Sequence, residues 1–167
     1  MYFFRSLLAY HSEKLMIFIK EIIRGTQVSN EIKRGGCLCG KVEYEFDISK
    51  VISAHHCHCK DCQKSTGSGK ATIVMIPEED LNLSGNLKFY TVTGTAGSHI
   101  SRGFCEECGS PVISFVEENP GIKFIKAGTL NDSSWLSIAS NFWSSTANQW
   151  SPAEESLHSF THNPDLG

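Results

Sequence analysis

Cys57-His58-Cys59-Lys60-Asp61-Cys62 places three thiols within six residues. A C-x-C followed by x-x-C is too constrained in spacing and side-chain direction to close a comfortable local disulfide. It can wrap three sulfurs around one small cation. Zinc takes thiolates at about 2.3 Å in a tetrahedron, so three sulfurs leave a fourth corner over. Two further pairs flank this cluster, Cys37-Leu38-Cys39 before it and Cys105-Glu106-Glu107-Cys108 after it. Together these pairs make four ligands, one closed site. The seven cysteines therefore divide as four plus three.

The two sets invite different chemistry. About 65 residues of chain separate the flanking pairs, and a cross-link across such a loop removes much unfolded-state entropy. Four thiolates also leave no open position, so Cys37, Cys39, Cys105 and Cys108 read as a structural metal site whose binding energy is folding energy. Three thiolates leave the open corner that a catalytic zinc needs. The rival is a closed Cys₃His set, with His55, His56, His58 or His99 supplying the fourth ligand. His58 lies inside the C-x-C, which directs its ring away from a metal shared by Cys57 and Cys59. His55 and His56 point to opposite faces of a strand, so only one could face inward. Sulfur-only tetrahedral ligation suits iron as well as zinc.

The elements that must position these residues read as strands. Val42-Glu43-Tyr44-Glu45-Phe46 alternates apolar and charged residues, the period of a half-buried strand, and Val51 to His56 reads as its partner. Gly35-Gly36 breaks the chain ahead of the first pair. Gln63 to Gly69 predicts a loop or one helical turn. Ala71 to Ile76 is a β-branched, apolar strand stopped by Pro77, and Glu78-Glu79-Asp80 suggests a single turn. Leu87 to Val92 and His99 to Phe104 form a hairpin around Gly94-Thr95-Ala96-Gly97. Cys105 to Gly109 is a metal knuckle. Val112 to Val116 and Ile122 to Ile125 are strands either side of Asn119-Pro120-Gly121. The pattern weakens after Gly128. Many short strands with regular turn signals predict an all-β domain.

The 167 residues suit one domain with its own core. A net charge of −3 gives no basic footprint for nucleic acid or anionic lipid. An odd cysteine count at metal-like spacing argues for a reducing compartment, the cytoplasm. Residues 1–30 read as an N-terminal amphipathic extension. Apolar residues recur with a helical period, but Arg5, Glu13, Lys14, Lys20 and Glu21 leave no stretch able to span a bilayer. That segment is a helix packing on the domain or a partner, a membrane-surface helix, or non-native upstream sequence with Met16 as an internal start.

Gly36-Cys37-Leu38-Cys39-Gly40, Cys57 through Gly67, and Phe104-Cys105-Glu106-Glu107-Cys108-Gly109-Ser110-Pro111 resemble the glutathione-dependent formaldehyde-activating enzyme family. Ala127-Gly128-Thr129-Leu130-Asn131-Asp132 and Trp150 fit its C-terminal part, so the resemblance covers roughly Ile32 to Pro164. It implies an Mss4-like fold for residues 31–167, with folded-over antiparallel sheets pinned by zinc. It further implies two zinc ions per chain and a carbon–sulfur lyase that reversibly condenses formaldehyde with glutathione. Cys57, Cys59 and Cys62 would be catalytic, the other four cysteines structural. A non-catalytic zinc module binding a protein or peptide is the alternative. Lys60, Lys64 and Arg102 are candidates to meet glutathione carboxylates. The chain departs from the family pattern at Lys70, at Asn131 and from Trp135 to Trp143, positions that could line a substrate pocket.

Overall fold

Period-two patterning is realised as strands through most of the computed structural model, which describes residues 31–94 and 97–164. The expected extension over residues 1–30 lies outside them. Two sheets form. The smaller joins β1 (Ile32–Gly36), β2 (Glu43–Asp47) and β5 (Asn82–Ser84) in the order β1-β2-β5. The larger contains β3 (Ser53–Cys57), β4 (Ala71–Pro77), β6 (Leu87–Thr93), β7 (His99–Cys105), β8 (Pro111–Val116), β9 (Asn119–Lys126), β10 (Ser140–Phe142) and β11 (His158–Ser159). Its order is β11-β10-β3-β4-β9-β8-β7-β6. Pairing is antiparallel except where β10 lies parallel to β3 and β11. The domain is all-β apart from one short helix, α1 (Lys60–Thr66), and single 3₁₀ turns.

The inward residues of both sheets meet in one core. Tyr44 and Phe46 from the smaller sheet, with Val42 just ahead of β2, pack with Val74, Ile76, Val112 and Ile125 from the larger. Val42, Val74, Ile76, Val112 and Ile125 are fully buried, each contributing roughly 1.5–3 kcal/mol of hydrophobic transfer energy. Trp135, Leu136 and Ile138 close the edge of this core where the strand pattern weakens.

Four local expectations are revised. Val51 to His56 does not pair with Val42 to Phe46: β3 pairs with β4 and β10, whereas β2 is flanked by β1 and β5. Glycines 35 and 36 end a strand instead of breaking the chain. A Cβ at Gly35 would run into the Tyr44 ring and the Thr129 carbonyl, so absence of a side chain lets β1 lie against them. Asn119, Pro120 and Gly121 belong to β9, because the turn falls one step earlier, at Glu117-Glu118. The segment expected as a loop or one helical turn from Gln63 is a two-turn helix that begins earlier, at Lys60, because the Cys59 sulfur caps it by accepting from the Cys62 amide at 3.3 Å.

Candidate metal centres

Turns at one end of the two sheets assemble the first cluster. Cys37 and Cys39 lie in the β1–β2 connection, Cys105 ends β7, and Cys108 lies in the β7–β8 connection. The four sulfurs lie within 4.8 Å of one another. Cys37 and Cys39 are 3.5 Å apart, and Cys39 and Cys105 3.7 Å. Backbone groups shape the pocket. The Val42 amide donates to the Cys37 sulfur at 3.2 Å, and the Leu38 amide reaches across to the Ser110 hydroxyl at 3.1 Å. Gly109 takes φ +73°, which frees its amide to bond the Cys105 carbonyl at 2.8 Å. The knuckle expected from the sequence is therefore formed. Hydrogen bonds from the Ser110 side chain and backbone hold Cys108 down to about 5.

The second cluster sits at the junction of β3 and α1. Cys57 is the last residue of β3, Cys59 caps α1 and Cys62 lies in its first turn. Their sulfurs also lie within 4.8 Å of one another. Such crowding cannot support three free charges. Hydrogen bonds from Cys57 and Cys62 hold Cys59 down to about 2, while the bonds from Cys57 to Cys59 and Cys62 push its own thiol far up. Three sulfurs at this separation suit a soft divalent cation, which would favour ionisation of all three. Both clusters could hold a metal ion.

No histidine joins the three sulfurs among the described residues. His55 bonds Ser140 and Ser53 at 2.8 Å each, His56 bonds Thr72 at 2.9 Å, and His99 is held by Glu118 at 2.8 Å. His58 is fully buried with neither ring nitrogen bonded. The Asn141 amide near it is engaged with Glu154 and Ser159. Burial, then Lys70, keep the His58 ring below its ordinary range.

The C-terminal segment backs this cluster. Cys57 packs with Phe142 and Trp143, with Phe160 behind them. The His58 carbonyl accepts from Gln63 Nε2 at 2.7 Å and from Thr146 Oγ1 at 2.9 Å, and the His58 amide donates to the Phe142 carbonyl at 2.9 Å. Trp143 adopts φ +59°, a sparsely populated conformation for a bulky residue, fixed by its indole bond to Asn163 at 2.6 Å.

The sequence pointed to the seven sulfurs and to Lys60, Lys64, Lys70 and Arg102 around them, but not to Lys126. Lys60 bonds the Thr146 carbonyl, Gln63 and Asn148. Arg102 faces Asp61 at 3.7 Å, and Lys64 is exposed. A cavity of about 650 Å³ is lined by Cys37, Thr66, Lys70, Lys126 and Asn131, among others. Lys70 and Asn131, two departures noted in the sequence, thus line a pocket. Lys126 escaped notice because a lysine at the end of a strand ordinarily reaches solvent; here it is 7% exposed.

Two cysteine clusters on a twisted β framework define a class of domain built around sulfur sites. The chain belongs to the glutathione-dependent formaldehyde-activating enzyme family, whose sequence profile matches residues 32–150. A Fusarium vanettenii protein provisionally named as a glutathione-dependent formaldehyde-activating enzyme is 28% identical over 104 residues. That match takes in 59% of this chain and 55% of the relative, so the chain spans about half the length of that relative. A crystal structure of a Rhodobacter sphaeroides protein aligns with a TM-score of 0.48 and 26% identity, over 61% of this chain and 91% of that one.

Proposed function

We propose that residues 31–167 form a cytoplasmic carbon–sulfur lyase that reversibly joins glutathione to formaldehyde, with Cys57, Cys59 and Cys62 as its reactive centre. The observation that carries this reading is a group of three sulfurs within 4.8 Å with no fourth histidine or carboxylate among the described residues. The family membership supports the two substrates. In the forward direction the glutathione S–H bond breaks, sulfur bonds the carbonyl carbon, and the proton ends on the former carbonyl oxygen. The product is S-(hydroxymethyl)glutathione. Zinc held by the three cysteines would supply one thing, the thiolate form of the incoming thiol at neutral pH.

The chain's own contribution is positional. Gln63 and Thr146 fix the His58 carbonyl, which sets the path of the backbone between Cys57 and Cys59. The Cys59 cap sets where Cys62 projects from α1. Phe142 and Trp143 exclude water from behind Cys57. Cys37, Cys39, Cys105 and Cys108 would hold the second zinc as a closed structural site.

The direct test is magnetisation exchange between ¹³C-formaldehyde and its glutathione adduct. Metal-loaded protein should raise the exchange rate above the uncatalysed reaction, and Cys59→Ala should return it to background while circular dichroism stays near native. Exchange that the wild-type protein leaves at background would overturn the reading.

A further inference from the structure

We propose that the cavity beside the two cysteine clusters is an anion subsite, with Lys70 and Lys126 as its cationic groups, for the carboxylates of an acidic thiol. This deepens the proposed function and rests on the three-cysteine centre taking a thiol.

Three lysines are largely buried in the described domain: Lys33, Lys123 and Lys126. Burying an ammonium is costly unless a counter-charge accompanies it. Lys33 meets Glu31 at 2.7 Å and Asp132 at 3.8 Å, and Lys123 meets Glu78 at 3.0 Å. Lys126 breaks the pattern. Its hydrogen bond goes to a neutral hydroxyl, Ser114 Oγ at 3.0 Å, and no carboxylate among the described residues pairs with it. Lys70, half-buried, likewise has no carboxylate partner among the described residues.

Both of these lysines line the same cavity, and no aspartate or glutamate does. Its other polar groups include the side chains of Thr66, Thr72, Ser110 and Asn131. The three hydroxyls are engaged within the protein, whereas the Asn131 amide can donate to an oxyanion. A wall with two lysines, an amide donor and no carboxylate is complementary to a ligand with negative charge. The volume of about 650 Å³ falls in the range of small-molecule sites.

The cavity is placed to serve the reactive centre. Ala71, in the cavity wall, is the direct strand partner of Cys57 across β3 and β4. Thr66 closes the helix that starts from Cys59, and its hydroxyl bonds the Cys62 carbonyl at 2.7 Å. A thiol whose carboxylates rest on Lys70 and Lys126 would carry its sulfur towards the three-cysteine cluster. A neutral thiol gains nothing from the lysines, so the subsite selects acidic ones.

Titration calorimetry on metal-loaded, full-length protein separates the claims with two partial ligands. S-methylglutathione keeps both carboxylates but has no thiol; 2-mercaptoethanol has a thiol but no carboxylate. Lys70→Gln and Lys126→Gln should each weaken S-methylglutathione by about tenfold or more, the usual effect of losing a charged hydrogen bond. Lys70→Gln should leave the affinity for 2-mercaptoethanol unchanged. Metal content and melting accompany each variant, and Lys70→Gln, at a half-exposed position, decides the matter should Lys126→Gln fail to fold. Failure of S-methylglutathione to bind the wild-type protein, or equal binding to the wild type and the deciding variant, would overturn the subsite. Absence of 2-mercaptoethanol binding, with lysine-dependent S-methylglutathione binding intact, would instead overturn the thiol reading and leave an anion site.

Discussion

The sulfurs of Cys39 and Cys105 lie 3.7 Å apart although 66 positions separate them in the chain. One belongs to the connection in the small sheet and the other ends β7 in the large one. A metal shared there would tie the two sheets together. Closing a loop of this size is worth about 4 kcal/mol in the chain-entropy treatment, and a structural zinc site contributes more through its binding energy.

Cys105→Ala should therefore unfold the domain, since it removes a ligand that is 1% exposed. Cys59→Ala should leave circular dichroism and melting near native and abolish only the thiol chemistry. The comparison is made by thermal melts with metal analysis on both variants. A native-like melt for Cys105→Ala would contradict the structural role.

Metal analysis of the wild-type protein should give two zinc ions per chain. Stripping with a strong chelator should release both and lower the melting temperature, and adding zinc back should restore it. Loss of one ion with no change in melting would identify that ion as the one at the three-cysteine cluster.

Tyr44 offers a pH-dependent probe away from the sulfurs. Burial pushes its phenol up to about 12 against an ordinary value of 10.0, outweighing the opposing effect of the bond to Thr129 at 2.8 Å. Between those values the folded state keeps a proton that the unfolded state loses. Stability from this group is thus complete below pH 10 and lost as pH rises to about 12. Absorbance at the tyrosinate band should show a late-titrating component that Tyr44→Phe removes, at a cost of about 1 kcal/mol.

Gly35→Ala should destabilise the domain by about 1–3 kcal/mol, the usual penalty of overpacking. The added methyl group would meet both Tyr44 and Thr129. Chemical denaturation measures the loss; a change within a few tenths of a kcal/mol would show that β1 can shift at no cost.

Deleting residues 1–30 should leave folding and metal content unchanged, because all seven cysteines and every core residue named above follow Glu31. Soluble, zinc-loaded protein from residues 31–167 is the expected outcome. Insoluble or metal-free material would make the extension part of the fold.

The sulfur sites were legible because thiol spacing is a local property that metal geometry constrains tightly. The strand from Val42 to Phe46 was legible because alternation survives where one face is buried, and Ala71 to Ile76 because a short β-branched apolar run suits a strand buried on both faces. Pairing was not. Nothing within Ser53–Cys57 records that its parallel neighbour is Ser140–Phe142, 85 positions away at His55 and Ser140. The start of α1 was also hidden, since its cap is a cysteine sulfur in place of the usual serine, threonine or aspartate. Lys126 looked like a surface residue because its burial is decided by neighbours far along the chain.

The parallel pairing of β10 with β3 also imposes a sequence of events on biosynthesis. A nascent chain emerges N-terminus first, and domains begin to fold as they appear. All four ligands of the first cluster are present once Cys108 has emerged. The second cluster has its sulfurs even earlier, yet Phe142, Trp143 and Thr146, which back it and fix its loop, arrive only with the last part of the domain. A metal at the first cluster would therefore be open to capture during translation, whereas the three-cysteine cluster gains its backing only later. A ribosome stalled between Ser110 and Ser140 would thus carry a chain able to load the first ion but lacking the backing of the second site.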